Sequence, residues 1–360
     1  MAEPLKNYFS EEFVNRLGEE ILRVYPKFSK GEFVNSIIND EWEARELKER
    51  LRHVSLMLGE FLPDYIDAIQ ILNKVVSKFD DLPGMVFPDF VEVFGLDHLA
   101  TSLDALELFT QYSSSEFAIR PFIVRNEKLV MDRMLEWSQH ENHHVRRLAS
   151  EGCRPRLPWA MALPEFKKDP SRIIPILQNL KDDHSEYVRK SVANNINDLT
   201  KDNPQIALEL AKSWKGESSR TDWILKHGLR TLLKKGNEEA LQIFGFTEKV
   251  EAEVQNFTLS DSKVKIGDEL QFSFSVVNKG KSDSFFKIGF KVGYVKSNGN
   301  ISEKIFHVTE KKFDAHERIE FKKKLSFKDL TTRKHFPGKH HIAVTINGEK
   351  YAQQEFEVTK

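Results

Sequence analysis

The hydrophobic residues of this 360-residue chain repeat with two different periods, and the period changes near residue 250. In the first part, apolar side chains recur three or four residues apart, as within residues 13–24, which is the spacing of amphipathic helices. In the second part they alternate with polar residues, most clearly over residues 270–276, which is typical of half-buried strands. We therefore predict a helical domain over residues 1–248 and a β domain over residues 254–360.

Three segments of the helical part share one form, a polar turn followed by a helix that opens Val-Arg-Arg, Val-Arg-Lys or Ile-Leu-Lys. Aligned on Val145, Val188 and Ile224, they lie 43 and 36 residues apart, in the range of two-helix HEAT-like repeats. The pattern predicts an all-α HEAT-like repeat solenoid. Stacked repeats present equivalent positions along one surface, so the basic residues would form a stripe suited to a phosphate backbone. Solvated helix faces are the alternative interpretation.

The second part contains about seven short alternating runs, which is typical of an all-β immunoglobulin-like sandwich. The pair Asn347-Gly348 stands between two such runs and predicts a two-residue hairpin. Residues 254–360 carry 20 Lys and Arg against 13 Asp and Glu, whereas the preceding residues have an acidic excess. A basic β domain favours a polyanionic partner, although a lysine-rich solvated sheet explains the charge equally well.

The composition of the chain bears on the cellular environment of the protein and on its cysteine chemistry. The segment MAEPLKNYFSEEF has charges where a signal peptide needs an apolar stretch, and no run of roughly 18 uncharged apolar residues follows. We expect a soluble, cytoplasmic, monomeric protein without a membrane partner. The single cysteine, Cys153, allows no intrachain disulfide and is interpreted as a small buried residue.

Two clusters in the helical part contain unusual side chains. In SSSEFAIRPFI, Glu116 and Arg120 are four residues apart, as on one helix face, where an exposed ion pair is the simplest alternative to a functional role. In GCRPRLPWA, two X-Pro units predict a non-helical loop that carries Arg154, Arg156 and Trp159. A rigid loop whose tryptophan plugs the solenoid is the alternative there.

A third cluster, SVANNINDLTKDNP, places Asn194 and Asp198 on one helix face, and Asp198 could equally be a solvated helix residue. Other chemistries are not indicated. The chain has no GxGxxG, Walker, HExxH or GxSxG motif, and its paired histidines lack metal-ligand spacing. We therefore expect neither a metal nor a cofactor.

Four segments, SEFAIRPFI, VRRLASEGCRPRLPWA, YVRKSVANNINDLTKDNP and WILKHGLRTLLKKG, together resemble the AlkC branch of the AlkC/AlkD DNA alkylation repair glycosylases. The resemblance extends from about Glu12 to Phe246, and the β-rich tail resembles the immunoglobulin-like domain of many AlkC-type proteins. It implies base excision repair of double-stranded DNA, by hydrolysis of the N-glycosidic bond of cationic N3-methylated bases. The implied substrates are 3-methyladenine and, in the AlkC branch, 3-methylcytosine.

The resemblance also implies roles for particular residues. Glu116 would be the main catalytic carboxylate, Trp159 would pack against the sugar or the lesion, and Asp198 would be a second carboxylate, with Glu151 a further acidic candidate. The remaining candidates would contact DNA, mostly through phosphates: Arg120, Arg146, Arg147, Arg154, Arg156, Arg189, Lys190 and, as an aromatic wall, Trp223.

Two other functions fit the repeats. A non-catalytic HEAT-repeat scaffold would share the basic stripe but would not need Glu116 or Asp198 beside Trp159. A protein-interaction adaptor would show no salt-dependent DNA affinity.

Overall fold

The computed structural model describes residues 4–80, 82–246, 250–330 and 333–360. The chain divides into two compact units. The first contains the chain up to Pro204 together with Gly216–Gly228, and the second contains Gln205–Lys215 together with Leu229–Lys360.

Within the described ranges the first part of the chain forms α-helices, with short 3₁₀ turns at Leu5–Tyr8, Trp42–Ala44, Val76–Lys78 and Pro83–Met85. The helices are α1 (Glu11–Val24), α2 (Lys30–Ile37), α3 (Leu47–Phe61), α4 (Tyr65–Val75), α5 (Val86–Phe94), α6 (Leu99–Phe109), α7 (Ile119–Arg125), α8 (Glu127–Trp137), α9 (His143–Gly152), α10 (Pro164–Lys168), α11 (Ile174–Leu180), α12 (Glu186–Asp202), α13 (Pro204–Trp214), α14 (Ser219–Gly228), α15 (Arg230–Lys235) and α16 (Glu238–Ile243). None of the helices in the described ranges has the length and apolar character needed to cross a membrane.

The predicted repeat positions are equivalent in the structure. Helix α12 packs between α9 and α14, and Val145, Val188 and Ile224, one from each helix, are fully buried. The polar turn before α9 has a structural reason, because the Asn142 side chain accepts a hydrogen bond from the backbone N–H of His144 and so caps the helix. The three helices form one layer, which positions the site described below.

The second part forms strands within the described residues, arranged in two sheets. The strands are β1 (Ala252–Leu259), β2 (Lys263–Lys265), β3 (Glu269–Asn278), β4 (Ser284–Val295), β5 (Ile301–Phe313), β6 (Arg318–Ser326), β7 (Gly338–Ile346) and β8 (Glu349–Thr359). One sheet has the order β1-β3-β6 and the other β2-β8-β7-β4-β5. Only the β2–β8 pair is parallel among these pairings.

The alternating pattern places the sandwich core as predicted. Leu270, Phe272, Phe274 and Val276 of β3 are buried together with the apolar side chains that β4 and β7 direct inward. Asn347 and Gly348 have φ values of +49° and +89°, as a two-residue hairpin requires. The described residues hold one strand more than the seven predicted, since β2 has three residues and is too short to show alternation. The fold is therefore a helical-repeat region followed by an immunoglobulin-like sandwich.

Candidate active site

Glu116 lies in the turn that precedes α7, not on a helix. Because α7 begins at Ile119, the predicted i,i+4 pairing of Glu116 with Arg120 on one helix face is wrong. Glu116 instead forms an ion pair with Arg147 of α9. The Ser114 hydroxyl donates a hydrogen bond to the same carboxylate and accepts one from Arg147 Nη1 at 2.9 Å. The chain reversal before α7 thus brings Glu116 to the repeat layer.

Arginines join three carboxylates into one ladder. Arg147 lies between Glu116 and Glu151, with 3.6 Å between its Nη2 and Glu151 Oε1. Arg154 then links Glu151, at 2.7 Å, to Asp198 of α12, at 3.0 Å. Charges of opposite sign alternate along the ladder, so each carboxylate is fixed in position by a guanidinium.

The three carboxylates differ in their access to solvent. The Glu116 side chain is 13% exposed and lies at the open end of the ladder, whereas that of Asp198 is 1% exposed and is also bound by Lys201. Arg154 and Lys201 bind the two carboxylate oxygens of Asp198, and the role of Asp198 as a second carboxylate stays a prediction. Glu151 is the carboxylate that shares Arg147 with Glu116, and its spacing of four residues from Arg147 is the sequence signal for it.

One cation of the ladder, Arg147, is stabilised by the two carboxylates beside it. Burial alone lowers the pKa of Arg147, but the charges of Glu116 and Glu151 outweigh it and hold that pKa above its ordinary value. The Arg147 guanidinium also lies over the Tyr187 ring, 4.7 Å from its centroid. Sequence reasoning missed Tyr187, which precedes the repeat position Val188 and carried no separate signal.

Arg120 is fully buried, so the prediction that it contacts DNA is wrong. Its Nη1 donates to the carbonyls of Gly152 and Arg154 at 2.8 and 2.9 Å, and its Nε donates to that of Met161 at 2.7 Å. Burial lowers the pKa of Arg120 to about 10. The side chain holds together the two ends of the loop that carries Trp159.

Trp159 is presented on that loop, between α9 and α10. The segment is non-helical, as predicted, and the indole is 68% exposed, so Trp159 does not plug the repeat layer. Its φ of +66° is unusual for a bulky side chain and strains the backbone. Lys48 binds its carbonyl oxygen. The loop therefore keeps the aromatic face of Trp159 in solvent despite the backbone strain and the exposed apolar surface.

The other predicted DNA-binding residues outside the ladder have partners of their own. Arg146 Nη1 donates to the carbonyls of His140 and Glu141, and Arg189 Nη1 donates to those of Asp183 and His184, so both stabilise the turns between repeats. The further three are exposed: Arg156, paired with Asp202; Lys190, paired with Glu186; and Trp223, stacked on His227.

Within the described part of the chain, no group of three or more His, Cys, Asp and Glu side chains is arranged to hold a metal ion. Cys153 is buried, and burial raises the pKa of its thiol to about 12. It is therefore a packing residue and a poor nucleophile.

The protein thus combines a helical-repeat region that carries a carboxylate–arginine ladder with an immunoglobulin-like sandwich. This combination is also found in a protein of known structure. Residues 253–360 match the family described as "Uncharacterised protein YhaZ, C-terminal Ig-like domain". The chain is 43% identical over 355 residues to the "Uncharacterized protein YhaZ" of Bacillus subtilis strain 168, covering 98% of this chain and 99% of that protein. It is also similar to the Pseudomonas fluorescens alkylpurine DNA glycosylase AlkC, solved bound to DNA containing an abasic site analog, with a TM-score of 0.94.

The similarity to AlkC includes 34% sequence identity and covers 99% of this chain and all of that one. The chain therefore belongs to the AlkC-type family of DNA alkylation repair glycosylases.

Proposed function

We propose that this protein is a DNA glycosylase that hydrolyses the N-glycosidic bond of cationic N3-methylated bases, 3-methyladenine and 3-methylcytosine, in double-stranded DNA. Family membership supports glycosylase chemistry. The observation that carries the proposal is the pair of carboxylates, Glu116 and Glu151, held on one guanidinium at the edge of the repeat layer. The ladder ends in the partly exposed carboxylate of Glu116, which is held where it could stabilise a cationic reaction centre.

The chemistry needs few groups. An N3-methylated base already carries a positive charge and leaves as a neutral molecule, so no general acid has to protonate it. The protein has to stabilise the oxocarbenium-like sugar and position a water molecule. A carboxylate about 4 Å from that cation contributes about 4 kcal/mol at an effective dielectric of 20, or roughly a thousandfold in rate.

We assign these roles to particular side chains of the site. Glu116, at the open end of the ladder, faces the sugar and orients water, while Arg147 fixes its position. The exposed Trp159 face packs against the deoxyribose or the lesion, and a desolvated contact with a cation is worth about 2 kcal/mol. Asp198 acts through Arg154, which it holds against Glu151.

The DNA partner is proposed on charge as well as on family. The exposed Arg156 and Lys190 are candidates for phosphate contacts, and the excess of lysine in the sandwich supports a second contact to DNA. We propose that the protein acts in the cytoplasm as a monomer.

Replacement of Glu116 tests the mechanism. We expect Glu116→Gln to keep DNA binding but to lower base release from an oligonucleotide with one N3-methyl lesion at least tenfold, since it removes the charge that stabilises the sugar cation. Single-turnover release is the measurement. Glu136→Gln, an exposed change on α8, is the matched control and should retain the wild-type rate.

The same assay separates the alternatives. If wild-type protein releases no base but binds DNA with strong salt dependence, the scaffold interpretation replaces the enzyme. A Glu116→Gln protein as active as the control would remove Glu116 from the mechanism.

A further inference from the structure

A cavity of about 220 Å³ lies behind Trp159, and the ladder does not use it. Its walls come from the start of the chain, from α3 and α5, and from the loop that ends at α10. Aromatic and aliphatic side chains supply most of the lining: Phe9, Leu47, Leu51, Leu82, Met85, Phe117, Pro121, Trp159 and Met161. A cavity of about 150 Å³ lined by similar side chains is enough to bind benzene, so this one has room for a single flat heterocycle.

One polar atom in the lining, Asp89 Oδ2, has no hydrogen bond of good geometry within the described residues. Asp89 belongs to α5 and is only 8% exposed. Its Oδ1 is bound by Arg52 at 2.9 Å. The nearby Ser55 hydroxyl lies within hydrogen-bond distance of the carbonyls of Leu51 and Val86, and its interaction with the Asp89 carboxyl group partly offsets the rise in the pKa of that group that burial causes. A buried carboxylate oxygen without a hydrogen bond of good geometry is a costly arrangement, and a ligand with an N–H group would supply that bond.

Charged side chains of both signs also line the cavity. The carboxylates of Asp89 and Glu92 are held in place by the same guanidinium, Arg52, and Lys48 donates to the carbonyl oxygen of Trp159, so both cations already have partners within the protein. Burial raises the pKa of Asp89, so this carboxyl group takes up a proton more readily and can then also donate a hydrogen bond. Apolar walls with such a carboxyl group match a planar base that carries an amino group.

The lining of the cavity extends toward the proposed reaction centre. A narrow adjoining space shares Leu51, Met85, Asp89, Glu92 and Phe117 with it. That space reaches Ser114, whose hydroxyl is bound to Glu116. Phe117, which follows Glu116 in the chain, lines both spaces.

We propose that this cavity binds the free base after its release from DNA, as a neutral methylated heterocycle with an amino group. The inference rests on the proposed glycosylase function for the origin of the ligand. Binding of the released base in this cavity would keep it from the repaired strand and would make the free base an inhibitor of turnover.

Binding of free 3-methyladenine to the full-length protein, measured by titration calorimetry, tests the proposal. We expect saturable one-to-one binding that Met85→Trp abolishes by filling the cavity and that Asp89→Asn weakens at least fivefold. Leu129→Trp adds the same indole on an exposed site of α8 and should bind as wild type does. If Met85→Trp does not fold, as judged by circular dichroism, Asp89→Asn carries the test.

A comparison of adenine with adenosine tests whether the cavity binds a free base or a nucleoside. Adenine should bind at least tenfold more tightly than adenosine, since a ribose attached to the ring exceeds the space available. Absence of saturable binding by the wild type, unchanged binding by Asp89→Asn or equal binding of adenosine would each overturn the proposal. Base release from lesion DNA is assayed separately, so protein that binds 3-methyladenine but releases no base would refute the glycosylase function alone.

Discussion

Arginine serves opposite purposes at neighbouring positions of this protein. Arg120 is buried and holds three carbonyls of one loop, whereas Arg156 on that same loop is exposed and faces Asp202. Arg147, between them in exposure, holds Glu116 and Glu151. A residue type therefore does not determine a role, because the number of carbonyls and carboxylates within reach decides whether a guanidinium is structural or available.

Replacement of Arg120 should be costly for stability. We expect Arg120→Ala to lower the free energy of unfolding by about 3 to 5 kcal/mol, since it removes the donor from three carbonyls, two of which are buried. The exposed Arg156→Ala should cost no more than about 1 kcal/mol. Urea denaturation of both variants provides the comparison, and equal losses would contradict the structural role of Arg120.

At the level of elements, the β7–β8 hairpin fits closely against the end of α15. Gly236 follows α15 with a φ of +74°, and a Cβ atom on Gly348 would lie 2.9 Å from the Gly236 Cα. Two features therefore favour glycine at both positions: a positive φ and the close approach of the two backbones.

A pair of substitutions separates these two demands. Gly348→Ala should destabilise the protein by about 1 to 3 kcal/mol more than Gly299→Ala, because only Gly348 meets another backbone. Gly299 has a similar φ of +80° but open space around it, so it reports the conformational cost alone. Chemical denaturation measures the difference, and identical losses would mean that the hairpin and α15 adjust to the added methyl group.

Two buried histidines at one end of the sandwich predict an acid-sensitive element. Burial lowers the pKa of both His335 and His340, and the nearby Arg333 lowers that of His335 further. A histidine whose pKa is lowered by folding binds its proton more readily in the unfolded chain, so its contribution to stability is lost as the pH falls. Asp329 opposes the shift at His335, and the backbone carbonyl of Phe336 opposes it at His340.

We expect the wild-type protein to lose stability between about pH 7.5 and about pH 5.5, around the ordinary histidine pKa of about 6.5. A variant with His335→Gln and His340→Gln should lose less over the same interval, although it starts from a lower value. Urea unfolding at the two pH values gives both losses. An equal loss in the variant would assign the acid sensitivity to other groups, such as His53 and His144.

At the scale of the whole molecule, charge is divided between the two parts of the chain. The sandwich carries the basic excess, and Lys322 and Lys324 lie exposed on the edge strand β6. Lysines also protect an edge strand from pairing with another chain, so their presence has a structural explanation as well. Salt-dependent DNA binding distinguishes the two.

Replacement of Lys322, Lys324 and Lys328 together with glutamine should weaken DNA binding and lower its salt dependence. The slope of log affinity against log salt falls by about 0.9 for each phosphate that the protein no longer neutralises, so the effect of even one such lysine is measurable. The matched control neutralises three exposed lysines of the helical part, Lys27, Lys74 and Lys128. Fluorescence anisotropy at several salt concentrations is the measurement, and equal slopes for both triple variants would argue against binding of DNA by β6.

Periodicity alone determined the helical and β parts, the repeat positions Val145, Val188 and Ile224, and the hairpin at Asn347-Gly348. These features follow from local rules, since burial of one helix or strand face repeats along the chain with a fixed spacing. The short strand β2 was not predictable, because it owes its existence to pairing with β8 at the other end of the domain.

The candidate site depends on interactions that no spacing shows. Resemblance and residue type pointed to Glu116, Arg147 and Trp159, but only the tertiary structure paired Glu116 with Arg147, 31 residues away, instead of Arg120. The same packing placed Asp198 under Arg154 and made Arg120 structural. The sequence determines which charges are present, whereas burial and long-range pairing decide which of them reach solvent, because the cost of an unpaired buried charge is settled only when distant segments meet.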